Sequence, residues 1–437
     1  MTNYYVSTAG STAADGLSSA TPWLNVSQVN SAPLVAGDSV LFKSGETFVD
    51  TILRITWSGS SVAPIIFSAY KTGARPILNS TGTVCIFSSA PTSHIEIRGL
   101  EVKGTSTVTN YGIQAKFCKS TIVDCVAHNA IISGICINTP SSMVTIEDCE
   151  VYDSLGTGLI LDTGGTTGGI VDVTISNCVV HDNGTVQDAD HGIYASGGAG
   201  RIIVQDCQLY NNFNGAGIKF RDHGSSGRIS RNKIRDNRIG IVLGTQTAAG
   251  NDGHTIDNNL ISSHVWAGIV FLNNAPLAGN DNNGVYNNTI VNSGHGVDFY
   301  ESGNSGNIFK NNIIYCSTTA YLVKALSSGE IAAQTFDYNT YWNPDESPSS
   351  AVFYDGTART FSYWQATNGK DANGQQADPL FVTNFSDLHL RSSSPCINAG
   401  TNVGLTQDHA GVFVPQGASP DIGAYEYVGE WAQTFRN

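Results

Sequence analysis

One mark recurs through the middle of this chain at a nearly constant interval, and it limits the possible fold more than any other feature. A cysteine closes the local phrases at Cys125, Cys149, Cys178 and Cys207, and an asparagine takes the same slot at Asn232, Asn259, Asn288, Asn312 and Asn339. Successive spacings are 24, 29, 29, 25, 27, 29, 24 and 27 residues. Two residues after the mark comes an aliphatic side chain, as at Val151, Val180, Leu209, Ile234, Ile261, Ile290 and Ile314. A second mark runs in phase, a glycine followed by an aliphatic residue, at Gly112-Ile113, Gly134-Ile135, Gly158-Leu159, Gly192-Ile193, Gly217-Ile218, Gly240-Ile241, Gly268-Ile269 and Gly296-Val297. A period of this size signals stacked supersecondary units, each too thin to bury a core alone. Apolar and polar residues alternate within the repeated phrases, so the unit is built from strands. The expected fold is an all-β solenoid.

Length alone, 437 residues, would suggest two or three domains. A solenoid overrides that prior, because it grows by adding rungs to one continuous core. The 47 glycines and only 13% charged residues suit many short strands joined by tight turns. No stretch approaches the roughly 18 apolar residues of a membrane span, so no membrane partner is expected. The first residues, Met1 to Tyr5, lack the basic and apolar regions of a signal peptide. The expectation is an extracellular protein whose leader has been removed, or a virion-associated one released by lysis of a phage host.

Nine cysteines leave at least one unpaired. Those in the repeated slot would stack about 4.8 Å apart from rung to rung, a spacing that does not forbid a disulfide. Reduced cysteine is nevertheless among the most buried residue types, and a packed thiol stack is the favoured reading. Zinc is not expected, since no paired-cysteine or histidine–cysteine spacing supports it.

The repeats resemble the right-handed parallel β-helix of the pectate-lyase-like superfamily, in which an Asn or Cys ladder lines one internal turn and the outer face of one sheet carries the chemistry. The resemblance spans residues near 94 to 345. It reaches both ends through phrases common in bacterial β-helix proteins, beginning at Tyr4, Asp15 and Gly37 and again at Ala377, Ser394 and Pro420. A solenoid's last rungs expose strand edges and an open core that need covering. Residues 1–93 are therefore read as an N-terminal cap with the first rungs, 94–345 as the catalytic helix, and 346–437 as a C-terminal cap.

Function must then come from the outer face. The aliphatic residue of each Gly-Ile mark points inward, so the next residue and the one two further on point outward. That outer column reads Gln114/Lys116, Cys136/Asn138, Ile160/Asp162, Tyr194/Ser196, Lys219/Arg221, Val242/Gly244, Val270/Leu272 and Asp298/Tyr300. Its chemistry concentrates at Tyr194, Lys219 and Arg221, with Asp190, His191, Asp222 and His223 at the flanking turns. The chain carries a formal net charge of −14, yet within 201–238 eight basic side chains stand against three acidic ones. A local basic patch on an acidic background points to one anionic ligand and away from general nucleic-acid binding. The competing reading makes Arg228 to Arg238 solvated strand-face residues.

Cations beside a potential base suit β-elimination on a uronic-acid polysaccharide. Cations neutralise the uronate carboxylate, which acidifies the adjacent C–H, and a base removes that proton. A lysine among other cations loses its proton readily and can serve as that base. The strand Gly217 to Arg221 resembles the one carrying the catalytic lysine of family-nine pectate lyases. The run Arg221-Asp222-His223-Gly224 is similar to the Arg-His-Gly of family-six alginate and chondroitin lyases, with one Asp inserted. The outer-column reading and these resemblances together give Lys219, Arg221, His191 and Tyr194 as the expected catalytic residues, and Asp162, Asp190, Asp222, His223, Asp298 and Tyr300 as the expected substrate-binding ones. The family-nine calcium site would fall at Asp188 and Asp190, but His191 stands where a second adjacent Asp is expected, so calcium stays open. His191 or Tyr194 as the proton carrier is the variant seen in other uronate lyases and epimerases.

Two alternatives remain on the same fold. A glycoside hydrolase needs two carboxyl groups roughly 5–9.5 Å apart, and Asp162, Asp190 and Asp222 fall on neighbouring rungs. The other is a phage-tail or cell-surface protein that only binds glycan. Under every reading the Gly- and Asn-rich loops 245–253 and 273–283 form one side of a groove for a linear chain, and the protein is a monomer.

Overall fold

The structure, a computed structural model, describes residues 1–429 except 106, 165–168, 186–189, 198–199, 223, 248–249, 275–278, 318–320, 348 and 384. The chain divides into two compact units, Met1–Ile203 with Asn211–Gly215 and Val204–Tyr210 with Ala216–Asn437. Each is a coil of short strands in three parallel sheets, where a strand pairs with its counterpart one turn later. In the first unit the third sheet runs through Tyr111–Ala115, Ser133–Asn138, Thr157–Asp162 and Ile193–Ser196. The register aligns Ile113, Ile135, Leu159 and Ile193 in one inward column, all fully buried. In the second unit the third sheet runs through Ala216–Arg221, Ile239–Thr245, Ala267–Asn273, His295–Phe299, Val323–Ala325 and Phe353–Asp355. There Ile218, Ile241, Ile269, Val297 and Val323 form the inward column.

Both repeated marks have a physical cause. The residue just before each ladder position has φ between 50° and 59°, at Asp124, Asp148, Asn177, Asp206, Arg231, Asn258, Asn287, Asn311 and Tyr338. Asn and Asp tolerate this left-handed conformation best among residues with side chains, which is why they dominate the slot. The glycine of the second mark sits where the backbone passes an inner isoleucine. A Cβ on Gly217 would come within 2.6 Å of Ile234 Cγ2, and one on Gly240 within 2.7 Å of Ile261 Cγ2.

The ladder itself changes chemistry between the units. In the first, the thiols of Cys125, Cys149 and Cys178 reach the carbonyls of Ile97, Ile122 and Ile146, each at 3.6 Å. All nine cysteines are free, as the packed-thiol reading expects. In the second unit the amide of each asparagine donates to the next, Asn232 to Asn259, Asn288, Asn312 and Asn339, at 2.9–3.0 Å. The run ends on Asp371, whose carboxylate accepts from Asn339, Tyr341 and Trp364 at 2.8–2.9 Å. Burial pushes that carboxyl up to about 6 even against these donors.

Further polar ladders occupy other turns, and the sequence reading did not anticipate them. Asn183 bonds Asn212 in the first unit, and Asn251, Asn280, Asn304 and Glu330 form a run in the second. This second run anchors the bases of the two loops expected to border the groove.

The C-terminal segment does two jobs. Helix Phe361–Ala366 packs Phe361 and Trp364 against Phe353, Tyr341 and Phe336, covering the last turns. Beyond it, Phe381, Leu388, Leu390, Cys396, Ile422 and Ala424 lie on Leu260, Val291, Ile313 and Tyr315, the outward residues of the second sheet. Asn258, Asn287 and Asn311 fasten this tail by donating to the carbonyls of Gln407, Asp421 and Thr401. So the described residues between 361 and 424 lie along a side of the coil as well as on its last turns. Apolar residues on the outside of the second sheet require that cover.

Candidate functional site

The alternation of the third-sheet strand Ala216–Arg221 buries Ile218 and Phe220 and turns Lys219 and Arg221 outward. Lys219 pairs in register with Val242, then Val270, then Asp298 and Lys324, which are the outer column of the second unit. Val242 and Val270 are buried, together with Ala216, Ile239 and Ala267, and Trp266 and Leu272 pack on them. Lys219 therefore stands half-buried at the edge of an apolar floor. Burial, then the positive charge of Arg221, pulls its ammonium down to about 8, with Asp222 opposing. Such a lysine is a usable base near neutral pH. Arg221 donates to Gln246 Oε1 at 3.2 Å and keeps about a third of its side chain exposed.

Asp222 has a different role from the expected substrate contact. Its Oδ1 accepts from the backbone N–H groups of Gln246 and Thr247 at 2.8 and 2.9 Å, and the residue is buried. It clamps the loop that brings Gln246 to Arg221. Asp298 is fully buried, with Oδ2 accepting from Trp266 Nε1 at 2.9 Å and from Lys324 Nζ at 3.1 Å. It acts on its surroundings through those two side chains. Tyr300, just after that strand, is 42% exposed and meets Trp266 edge to face. His223 and Asp188 lie outside the described residues.

In the first unit the outer column is Gln114, Cys136, Ile160 and Tyr194. Asp162, on the neighbouring column, lines a cleft of about 370 Å³ with Lys116, Asn138 and Gln114. Tyr194 is half-buried beside His191, their rings 5.3 Å apart. His191 itself is buried, its backbone N–H donating to Thr157 Oγ1 at 3.1 Å, and Asp190 precedes it half-buried. Among the described residues, no group of three or more His, Cys, Asp and Glu is arranged to hold a metal ion.

The basic run 201–238 does not form one surface. Arg228 grips the buried Asp257 through two bonds of 2.7 and 2.9 Å, and Arg231 grips Asp206 at 2.8 and 2.7 Å. Arg201 pairs with Asp172, and Arg235 pairs with Asp236 while lying over Tyr210. These arginines belong to the first and second sheets and their turns, and the pairs of Arg201, Arg228 and Arg231 tie neighbouring rungs together, whereas that of Arg235 is local. Lys219 and Arg221 are the pair on the third sheet. A cavity of about 690 Å³, lined by tail residues such as Asn398, Leu405 and Pro415, includes neither of them.

Sequence reasoning missed Gln246, His295 and Lys324. Lys324 continues the outer column one rung past Asp298, but Leu322 replaces the glycine that marked earlier rungs, and the pattern ran out there.

The model of the right-handed beta helix region matches residues 79–226 and, in an overlapping match, 111–281. Solved structures extend the likeness over the chain. The structure of XylC with xylose superposes with a TM-score of 0.65 at 10% identity, covering 97% of this chain and 98% of that one. Pectate lyase Pel9A gives 0.54 at 19% identity, covering 98% and 96%. The chain is a right-handed parallel β-helix. The A-module of the Azotobacter vinelandii mannuronan C-5 epimerase AlgE4 shares this β-helix with a TM-score of 0.54 at 15% identity, covering 78% and 90%. No curated protein matches the sequence.

The lysine's environment leads to a stability prediction for this β-helix. A folded-state value of about 8 lies below the ordinary lysine value of 10.5, so the fold disfavours the ammonium. The unfolded chain binds more protons between those two values, and stability contributed at this position rises with pH across that window. Lys219→Met is expected to raise Tm at pH 7, with the advantage shrinking as pH approaches about 10.5. Thermal melts of both proteins across pH 7–10 would test it. A Met variant less stable at pH 7, or a difference unchanged by pH, contradicts the assigned environment.

Proposed function

We propose that this β-helix is a polysaccharide lyase that cleaves a uronic-acid-containing polymer on the outer face of the third sheet in its second unit. The observation that carries the reading is Lys219, half-buried beside Arg221, with its ammonium drawn down to about 8. Arg221, held by Gln246, would pair with the uronate carboxylate and stabilise the charge that builds there when the neighbouring C–H is broken. Neutral Lys219 takes the C5 proton. The C5 electron pair forms the C4–C5 double bond as the C4–O glycosidic bond breaks, and the departing oxygen takes a proton from solvent. The products are an unsaturated uronate end and a new reducing end. Two structural neighbours are named for pectate and mannuronan, both polyuronates, which agrees with a uronate substrate. Of Asp162, Asp190 and Asp222, the carboxylates considered for a hydrolase, Asp222 is buried and already accepts from the Gln246 and Thr247 amides, which disfavours it as one of a catalytic pair.

Carboxyl dependence tests the proposal. Native polymers and their carboxyl-reduced forms should be compared for absorbance near 235 nm, where unsaturated products absorb. Cleavage is expected for the native polymer and should disappear after reduction. Binding should weaken with salt, since partly exposed charges are screened over about 8–10 Å near physiological ionic strength. Equal cleavage of native and reduced polymers overturns the lyase reading, and salt-sensitive binding without any new ends favours a glycan-binding protein.

A further inference from the structure

On the third sheet of the first unit, Lys116 follows Ala115, which pairs in register with Ile137, and Ile137 pairs with Leu161. Lys116, Asn138 and Asp162 therefore form one outward column, beside the column of Arg54, Phe87, Gln114 and Cys136. Between the columns lies the cleft of about 370 Å³, lined by Phe87, Gln114, Lys116, Asn138 and Asp162. Its cations differ from those of the basic run. Arg201, Arg228, Arg231 and Arg235 are taken up by carboxylates, as Lys324 is by Asp298. Lys116, half-buried in the cleft, and Arg54, exposed one rung before Phe87, form no ion pair among the described residues. Asp162 Oδ1 accepts from the backbone N–H of Gly164 at 2.8 Å, and Oδ2 has no hydrogen bond among the described residues.

The cleft is graded in charge. Lys116 stands at one end and Asp162 two rungs on, their Cα atoms about 10 Å apart at roughly 4.8 Å per rung. The amides of Asn138 and Gln114 and the ring of Phe87 lie among them. A uronic-acid sugar carries the complementary pattern: one carboxylate on a ring whose other substituents are hydroxyls and whose C–H face is apolar. Its carboxylate pairs with Lys116, and a hydroxyl donates to Asp162 Oδ2. The two amides exchange hydrogen bonds with the remaining hydroxyls, and the apolar face lies on Phe87. A neutral sugar would leave the half-buried ammonium without a counter-charge, and a chain dense in sulfate would meet the carboxylate of Asp162. From this juxtaposition we infer that the first unit carries a second binding site for acidic polysaccharide, which holds one uronate residue through Lys116, Phe87 and Asp162. Asp162 was expected to touch substrate; the cation and the ring that select the ligand were not. The inference rests on the proposed uronic-acid substrate and is independent of how that substrate is cleaved. Arg54 adds positive charge beside Phe87, where the next sugar of the chain would lie.

Affinity electrophoresis tests the site with the cleavage face disabled. A protein carrying Lys219→Ala and Arg221→Ala is run through gels holding polygalacturonate, polymannuronate or hyaluronan, each native and carboxyl-reduced. At least one native polymer is expected to retard it about tenfold more strongly than the reduced form does, the equivalent of one charge-assisted contact. Adding Lys116→Gln should weaken retention by the native polymer about tenfold and leave the reduced form within about twofold. Adding Phe87→Ala should instead weaken both forms, by about fivefold. Lys116→Gln removes the charge and keeps a polar side chain, so it carries the test alone if Phe87→Ala fails to fold. No retention by any native polymer, equal retention by native and reduced forms, or indifference to Lys116→Gln overturns the site. Unsaturated product is measured separately, on protein with Lys219 and Arg221 intact. Lys116-dependent retention without product keeps the site and removes the lyase reading, whereas product without Lys116 dependence does the reverse.

Discussion

Lys219→Ala is expected to lower turnover of the acidic polymer by about three orders of magnitude, the usual contribution of a positioned general base. The loss should fall on kcat, because in the proposed mechanism Arg221 would still engage the carboxylate in the ground state. Lys219→Arg is the sharper probe. It keeps the positive charge but cannot give up its proton at accessible pH, so it should be as inactive as the alanine variant. For the unaltered protein, kcat/KM should rise with pH and level off above about 8, where Lys219 becomes neutral in the free enzyme. An arginine variant that retains activity, or a profile flat between pH 6 and 9, would show that Lys219 serves only as a cation.

Asn288→Leu is expected to cost stability on the order of 3–5 kcal/mol, since it strands several buried partners at once. Asn288 Oδ1 accepts from the backbone and side-chain amides of Asn259 at 3.0 and 2.9 Å. Its Nδ2 donates to Ile256 O, Tyr286 O and Asn312 Oδ1 at 2.9–3.1 Å. Leucine fills a similar volume but satisfies none of these groups. Cys149→Ala, on the equivalent slot of the first unit, should cost only about 1–2 kcal/mol, because it removes a small apolar group and weak thiol bonds. Urea midpoints for the two variants provide the comparison. Similar costs at both positions would mean that the amide ladder contributes no more than packing.

Much of the architecture was legible because two local constraints repeat. The left-handed residue before each mark selects Asp and Asn, and the close approach to an inner isoleucine selects glycine. Both are demands of the backbone at single positions, so they leave a trace in the sequence wherever they recur. Arg231 and Tyr338 occupy the same left-handed slot without the preferred residue types, yet the following asparagine keeps the ladder recognisable. The outer column was read correctly within each unit for the same reason: strand alternation needs only the position of the inward residue.

What outward residues do could not be read in this way. Asp222, at the turn flanking Lys219, and Asp298, in the same outer column, were both read as substrate contacts. Their roles diverge through partners 24 to 32 residues away: the Gln246 and Thr247 amides on Asp222, and Trp266 and Lys324 on Asp298. The basic run 201–238 looked like a patch because its members are close in sequence. In the folded chain they point to different sheets, and Asp206, Asp257 and Asp236 take up Arg231, Arg228 and Arg235. Sequence alone determined the period, the strand class, the inward columns and the thiol-to-amide ladder, because each follows from a rule about one residue and its immediate backbone. Only the tertiary structure decided which charges stay available and which are spent on neighbouring rungs, because pairing depends on side chains that winding brings together from separate turns.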